Sequence, residues 1–219
     1  MAGFFKNLFG GDAGRKEQAS PASQQQRISR KSTGFSEFTK AILSPEGLRV
    51  LDLGPTSPAN IQFITGLGHR AYNEDVLLAS QDSSLVLPAE EKGVTALDLK
   101  RFLDENLAYE KETFDAVLVW DIPDYLHESL VKPVVERIYN ITKPGGLLLG
   151  FFHTRDAGPE APYYRYHIAT RDTLELQRGP YFQLQRVFNN RHIENLFHDY
   201  ASIKFFLGRD NIREVLIVR

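Results

Sequence analysis

Apolar and polar positions along this chain fall into blocks whose period switches between helix and strand. Phe35, Phe38, Ile42 and Leu43 recur at helical spacing, and Ser44-Pro45 ends that helix. Arg49 to Leu53 is a short run of buried-strand type, broken by Gly54-Pro55. Asn60, Ile61, Phe63 and Ile64 begin a second helical pattern, which Gly66 and Gly68 stop. Ala71 and Tyr72 start a strand that ends on Glu74-Asp75. Val94 to Leu97 predicts a third short strand ending at Asp98, with a short helix or loop over 99–107. Phe114 to Trp120 is the clearest strand, continuous, β-branched and aromatic, as burial on both faces requires. A helix is predicted from Tyr125 to Ile141, with Leu126, Leu130, Val134, Ile138 and Ile141 on one side. Lys143-Pro144-Gly145-Gly146 then turns the chain into a strand from Leu147 to Phe152.

Residues 154–182 leave this alternation. Tyr163 to Ile168 and Thr173 to Gln177 read as a hairpin or cap, broken off by Arg178-Gly179-Pro180. Val187 to Tyr200 reads as a helix with Ile193, Leu196 and Phe197 as its stripe and Asn189 or Asn190 near its start. Ser202 to Leu207 and Arg213 to Val218 are strands whose short link makes them an antiparallel pair. The order predicts an α/β, doubly wound, mostly parallel sheet with helices on both faces and an antiparallel C-terminal strand.

Composition adds boundaries. A length of 219 residues suits one domain plus a short appendage, here a domain over 33–219 and a flexible tail over 1–32. The tail is basic: Lys6, Arg15, Lys16, Arg27, Arg30 and Lys31 face only Asp12 and Glu17. The chain's net charge is −2, so the folded part is acidic and has no pull onto nucleic acid. In residues 1–10, Phe4, Phe5, Leu8 and Phe9 surround one Lys; on a helix they would make a small face for a weak partner or membrane-surface contact. The alternative is an ordinary flexible start. No run approaches the ~20 apolar residues of a membrane span. The absence of cysteine excludes disulfides and thiolate metal sites, and it fits a reducing, cytoplasmic location. The six histidines show no zinc-motif spacing, so no metal site is expected.

Open α/β sheets gather ligands at the carboxyl ends of their strands. The β-α-β unit over 49–75 places backbone N–H groups of its turn, and an acid from its second strand, around one crevice. That arrangement suits a nucleoside-bearing ligand. Asp121 ends the strongest strand, where it can serve the ligand or cap the next helix. His153 follows the next strand and is a candidate general base, with an ordinary satisfied histidine as the alternative.

Four stretches in order resemble the class I, Rossmann-like, S-adenosylmethionine-dependent methyltransferases over roughly residues 35–219. VLDLG at 50–54 looks like the family's first motif, and Asp75 follows Asp52 by 23 residues, like its ribose-binding acid. FDAVLVWDIPDYL at 114–126 looks like the fourth strand with its acid, and KPGGLLLGFF at 143–152 like the turn and fifth strand. The terminal hairpin is similar to the family's antiparallel last strand. The resemblance implies a seven-stranded sheet, S-adenosyl-L-methionine as cofactor, and methyl transfer to a small-molecule or protein acceptor. It places Gly54 at the cofactor's methionine end and both ribose hydroxyls on Asp75. Asp98 and the Leu99 backbone would meet the adenine, and Asp121 would lie beside them. Asp52 would bond loop amides or the cofactor's ammonium, or be structural. Trp120 is assigned to the core rather than to an adenine platform, and Tyr163, Tyr164, Arg165 and Tyr166 to an acceptor pocket or one face of the hairpin.

The first turn departs from the family pattern. Gly54 is its sole glycine, and Pro55 and Pro58 remove two N–H donors, which Ser57 or Asn60 would have to replace. This motivates a second reading, a catalytically degenerate methyltransferase-fold binding or scaffold protein.

Overall fold

The computed structural model describes residues 26–87, 96–154, 162–180, 182–208 and 210–219. Strand β1 (Arg27–Lys31) and helix α1 (Thr33–Ala41) precede a unit of β2 (Arg49–Asp52), α2 (Pro58–Gly66) and β3 (Arg70–Asn73). Short elements follow: α3 (Val76–Ala79), β4 (Val86–Leu87), β5 (Ala96–Leu97) and α4 (Leu99–Glu105). Then come β6 (Phe114–Trp120), α5 (Ile122–Tyr125), α6 (Glu128–Ile141) and β7 (Thr142–His153). The chain closes with β8 (Tyr164–Ile168), β9 (Thr173–Arg178), α7 (Asn190–Leu196), β10 (Ser202–Leu207) and β11 (Ile212–Val218).

Six strands form the main sheet in the order β10-β11-β7-β6-β2-β3. Strands β3, β2, β6 and β7 run parallel, and β11 is antiparallel to both β7 and β10. The alternation of side chains in these strands builds two apolar layers. Leu51, Val117, Val119 and Leu148 face α6 through Leu130, Val134 and Ile138. Val50, Ala116, Leu118 and Leu149 face Phe35 and Phe38 of α1 and Ile64 of α2. Each fully buried side chain of this size contributes roughly 1.5–3 kcal/mol. Strand β6 is buried on both faces, which is why its sequence reads as an unbroken apolar run.

The architecture is that expected from the pattern, with four differences. First, Ala96 and Leu97 pair with Val86 and Leu87 in a separate two-stranded ribbon, so the main sheet has six described strands rather than seven. Val94 and Thr95 lie outside the described residues. Second, the helix expected from Tyr125 to Ile141 is two helices: α5 ends at Tyr125 with Leu126 as its C-cap, and the His127 ring accepts from the Ser129 N–H to start α6. Third, Val187–Tyr200 forms only the shorter α7, which Asn189 caps by accepting from the His192 N–H.

Fourth, the ordered domain starts before residue 33. Strand β1 pairs with β9, which pairs with β8, making a small antiparallel sheet from the supposed tail and the supposed cap. RISRK carries no apolar period, so hydropathy hides it; backbone pairing and one buried side chain hold it instead. Arg30 is 6% exposed and bridges Asp210 and Glu214, the latter at 2.6 Å. The contact expected of residues 1–10 lies outside the described residues. No helix among the described residues is long and apolar enough to cross a membrane.

Candidate functional site

The carboxyl end of β2 carries a closed polar network. Asp52 is 3% exposed, and its carboxylate accepts from three donors. These are the Gly54 N–H at 3.0 Å, the Asn60 Nδ2 at 2.7 Å and the Trp120 Nε1 at 2.6 Å. Burial raises the Asp52 pKa, and the bonds from Trp120, Asn60 and Gly54 oppose that rise. Asn60 sits in the first turn of α2, behind the Ser57 cap. Its amide also donates to the Tyr166 carbonyl at 3.1 Å, and its oxygen accepts from the Ile168 N–H at 2.7 Å. Ser57 Oγ lies 2.8 Å from His167 Nδ1. Strand β8 is therefore fastened across the N-terminus of α2.

Trp120 fills the space above Gly54. A Cβ placed on Gly54 would lie 3.0 Å from Trp120 Cδ1 and 3.2 Å from Nε1. The backbone of Trp120 has φ +54°, a left-handed turn that a bulky residue adopts at a cost of roughly 1–3 kcal/mol. That turn carries the indole to Asp52. Tyr166 stacks on it with ring centres 5.0 Å apart and planes at 1°. Trp120 belongs to the core, as expected, and the glycine of the first motif leaves room for an indole.

The remaining expected cofactor residues are separated. Asp75 caps α3, accepting from the Leu78 N–H at 3.0 Å. It is half-buried; burial raises its pKa against the Leu78 bond and the charge of Arg165. Its neighbour Glu74 turns to accept from the Leu107 N–H at 2.8 Å. Asn73 takes the crevice side of β3, donating to the carbonyls of Asp52 and Gly54. Asp98 caps α4 by accepting from the Arg101 N–H at 2.9 Å. Together with Leu99 it follows the separate ribbon instead of a main-sheet strand, and Leu99 packs on the core. The structure thus joins Asp52, Gly54 and Asn60 in one network and uses Asp75 and Asp98 as helix caps.

A second cluster lies beyond β6 and β7. Asp121 precedes α5 without a side-chain capping bond, and its carboxylate accepts from the Tyr166 hydroxyl at 3.0 Å. His153 Nδ1 lies 2.8 Å from Asp124 Oδ2, which also accepts the His153 N–H at 2.6 Å. Asp121 and Asp124 are 1% and 0% exposed, and among the described residues one oxygen of each lacks a partner. Burial pushes Asp121 up to about 7, with His153 opposing and Asp124 assisting. Burial pushes Asp124 up to about 6 against its bond to His153. Burial also pulls His153 down, but the Asp124 bond and the two carboxylate charges outweigh it and its pKa rises. Asp124 was not among the candidates from sequence, although it stands three residues after Asp121 in WDIPDYL.

No protein-family model matches the chain, and no curated protein sequence matches it. Solved structures do. An S-adenosylmethionine-dependent methyltransferase from Methanosarcina mazei is 12% identical, over 82% of this chain and 95% of its own, with a TM-score of 0.50. One from Archaeoglobus fulgidus is 10% identical over 84% and 92%, at 0.49. The 1,6-didemethyltoxoflavin-N1-methyltransferase of Burkholderia thailandensis, solved with 1,6-didemethyltoxoflavin and S-adenosylhomocysteine, is 15% identical over 84% and 78%, at 0.45. The Methanosarcina likeness, with the sheet order above, shows that this chain has the Rossmann-like class I methyltransferase fold.

Proposed function

On this methyltransferase fold, we propose that the chain acts as a binding scaffold whose methyl-donor crevice is closed by its own side chains. The observation that carries this reading is the Trp120 indole over Gly54, bonded to Asp52. S-adenosylmethionine is the ligand the fold implies, through the name of the Methanosarcina neighbour. Its ribose would have Asp75, which is half-buried at the end of β3. Its methionine end does not fit the residues present. Both Asp52 oxygens are taken, Asn60 is bonded on both sides, and Pro55 and Pro58 offer no N–H. No catalytic step through that ligand follows from this arrangement.

The alternative, methyl transfer to a small molecule or protein, requires Trp120 and β8 to move away together. Five hydrogen bonds oppose that: Trp120 to Asp52, Asn60 to Tyr166, Ile168 to Asn60, Ser57 to His167, and Tyr166 to Asp121. At about 1 kcal/mol each they hold the crevice shut by about 5 kcal/mol. A ligand that needs the open state then binds roughly 10³–10⁴-fold more weakly than its intrinsic affinity. The half-buried Asp75 and the S-adenosylmethionine-dependent Methanosarcina neighbour favour this alternative.

Isothermal titration calorimetry with S-adenosylmethionine and S-adenosylhomocysteine separates the readings. The scaffold reading expects no saturable binding up to ~1 mM of either ligand. Saturation below ~0.1 mM overturns it and returns methyl transfer to first place.

A further inference from the structure

A cavity of about 400 Å³ lies between the small β1-β9-β8 sheet and the end of the main sheet where β7 stops and β11 begins. It is within the size range of small-molecule sites. Its walls are apolar and aromatic, from Ile28, Leu176, Ile212, Tyr164 and Tyr166. Ile28 is 49% exposed on β1, so that side lies open to solvent. His153 also lines it, and Asp124 holds the Nδ1 of that ring. Among the described residues no hydrogen-bond partner is found for His153 Nε2, nor for the Asn211 amide or the Tyr164 hydroxyl on the same walls; of these, the His153 nitrogen is the one whose ring is held in place, by Asp124.

Charge decides the kind of occupant. Arg30 lines the cavity, but its guanidinium is bonded to Asp210 and paired with Glu214. Asp121 and Asp124 stand behind His153, so the surroundings carry more carboxylates than cations and disfavour an anion. A cation fares no better. Asp124 already pairs with His153, Asp121 accepts from Tyr166, and Asp210 and Glu214 hold Arg30. What the walls and the positioned His153 nitrogen suit is an uncharged, mostly apolar molecule with a hydrogen-bonding group.

We propose that this cavity binds a small aromatic or apolar molecule carrying one hydroxyl, with His153 Nε2 as its hydrogen-bond partner and the Tyr164 and Tyr166 rings as its walls. The proposal rests on the scaffold reading, for which it supplies a ligand class. Asp124 keeps a proton on Nδ1, and Nε2 meets the hydroxyl as acceptor in the imidazole and as donor in the imidazolium that the neighbouring carboxylates favour.

The test compares p-cresol with toluene, which differ by the hydroxyl, in nuclear magnetic resonance titrations of the whole chain. p-Cresol is expected to shift the His153 ring nitrogens and the amides of Arg30, Tyr164 and Leu176. One net hydrogen bond makes it bind about 5–10-fold more tightly than toluene. In His153→Leu the two bind equally. Ile28→Trp, at a half-exposed position of β1 on the face shared with Leu176 and Tyr166, blocks both and does not depend on a core substitution folding. Equal affinities in the wild type, shifts that map elsewhere, binding unchanged by Ile28→Trp, or no binding at ~5 mM each overturn the proposal. S-adenosylmethionine added to the same sample is read at the Gly54 and Asp75 amides. A response there defeats the scaffold reading while leaving the cavity's ligand to the cresol result.

Discussion

Tyr166 stands between two regions that the same fold treats in opposite ways. On one side its ring stacks on Trp120, and the crevice above β2 is filled. On the other it walls an open cavity beside His153. In the filled region every polar side-chain atom is spoken for: Asp52, Asn60 and Ser57 bond one another, the loop, Trp120 and β8. Behind the open region Asp121 and Asp124, which do not line the cavity, each keep a buried oxygen for which no partner is found among the described residues. A satisfied network adds rigidity, whereas unsatisfied buried atoms cost stability and persist where something else uses them. The difference locates structure on the Gly54 side and capacity to bind on the His153 side.

The sharpest way to break this comparison is Asp52→Ala. It strands the Trp120 indole N–H, the Gly54 N–H and the Asn60 amide in a buried place. The expected loss is about 3–5 kcal/mol of unfolding free energy in urea titration. A loss under ~1 kcal/mol would mean that the network does not hold the crevice shut. Trp120→Gly follows. It forfeits the indole packing, a loss of roughly 3–5 kcal/mol for a Trp truncation, but recovers part of it because glycine takes φ +54° freely. The same variant opens the space over Gly54, so any gain in S-adenosylmethionine binding over the wild type reports how much the indole alone excludes.

On the His153 side the expected signature is a pH dependence. Asp121 and Asp124 titrate near 7 and 6 in the folded chain, well above the ordinary value of 3.8. Between pH 4 and 7 the folded state therefore holds protons that the unfolded state has released. The contribution of these groups is fully present below pH 4 and is lost as pH rises through their folded values. His153, raised above 6.5, loses its contribution in the same direction at higher pH. Asp121→Asn removes one such group, so its stability relative to wild type improves from pH 5 to pH 8 by roughly 2–4 kcal/mol. Chemical denaturation at the two pH values reads this directly, and a relative stability that falls instead would place Asp121 outside the buried, proton-holding cluster.

Much of the fold was legible because burial writes itself into hydropathy. Phe114 to Trp120 and the helix before Arg49 were fixed by apolar period alone, and the terminal hairpin by its short link. Strand β1 was not legible, because one buried Arg and backbone pairing hold it. The site was legible only in part. Asp52, Gly54 and Asn60 do meet, but a motif records residue types and not what covers them. Trp120 reaches Asp52 through a left-handed turn, and β8 lies on Asn60 from more than a hundred residues away. Asp75 and Asp98 were visible as acids ending strands, and an acid in that place is also the preferred cap of the helix that follows.

That double meaning gives the smallest effect and a clean discrimination. Asp75→Ala and Asp98→Ala each lose a capping acceptor, to Leu78 and Arg101 respectively, and each is expected to cost about 1 kcal/mol. Asparagine caps as well as aspartate, so Asp75→Asn and Asp98→Asn stay within about 0.5 kcal/mol of wild type. A ribose-binding acid behaves differently, because replacing one carboxylate oxygen by an NH₂ turns an acceptor toward the sugar hydroxyls into a donor. Stability and ligand binding measured on the same pair therefore separate cap from ligand acid. If Asp75→Asn keeps its stability and changes no nucleoside binding, Asp75 is a cap like Asp98. If it keeps its stability but abolishes binding that the wild type shows, the Gly54 side is a working cofactor site, and the contrast across Tyr166 fails.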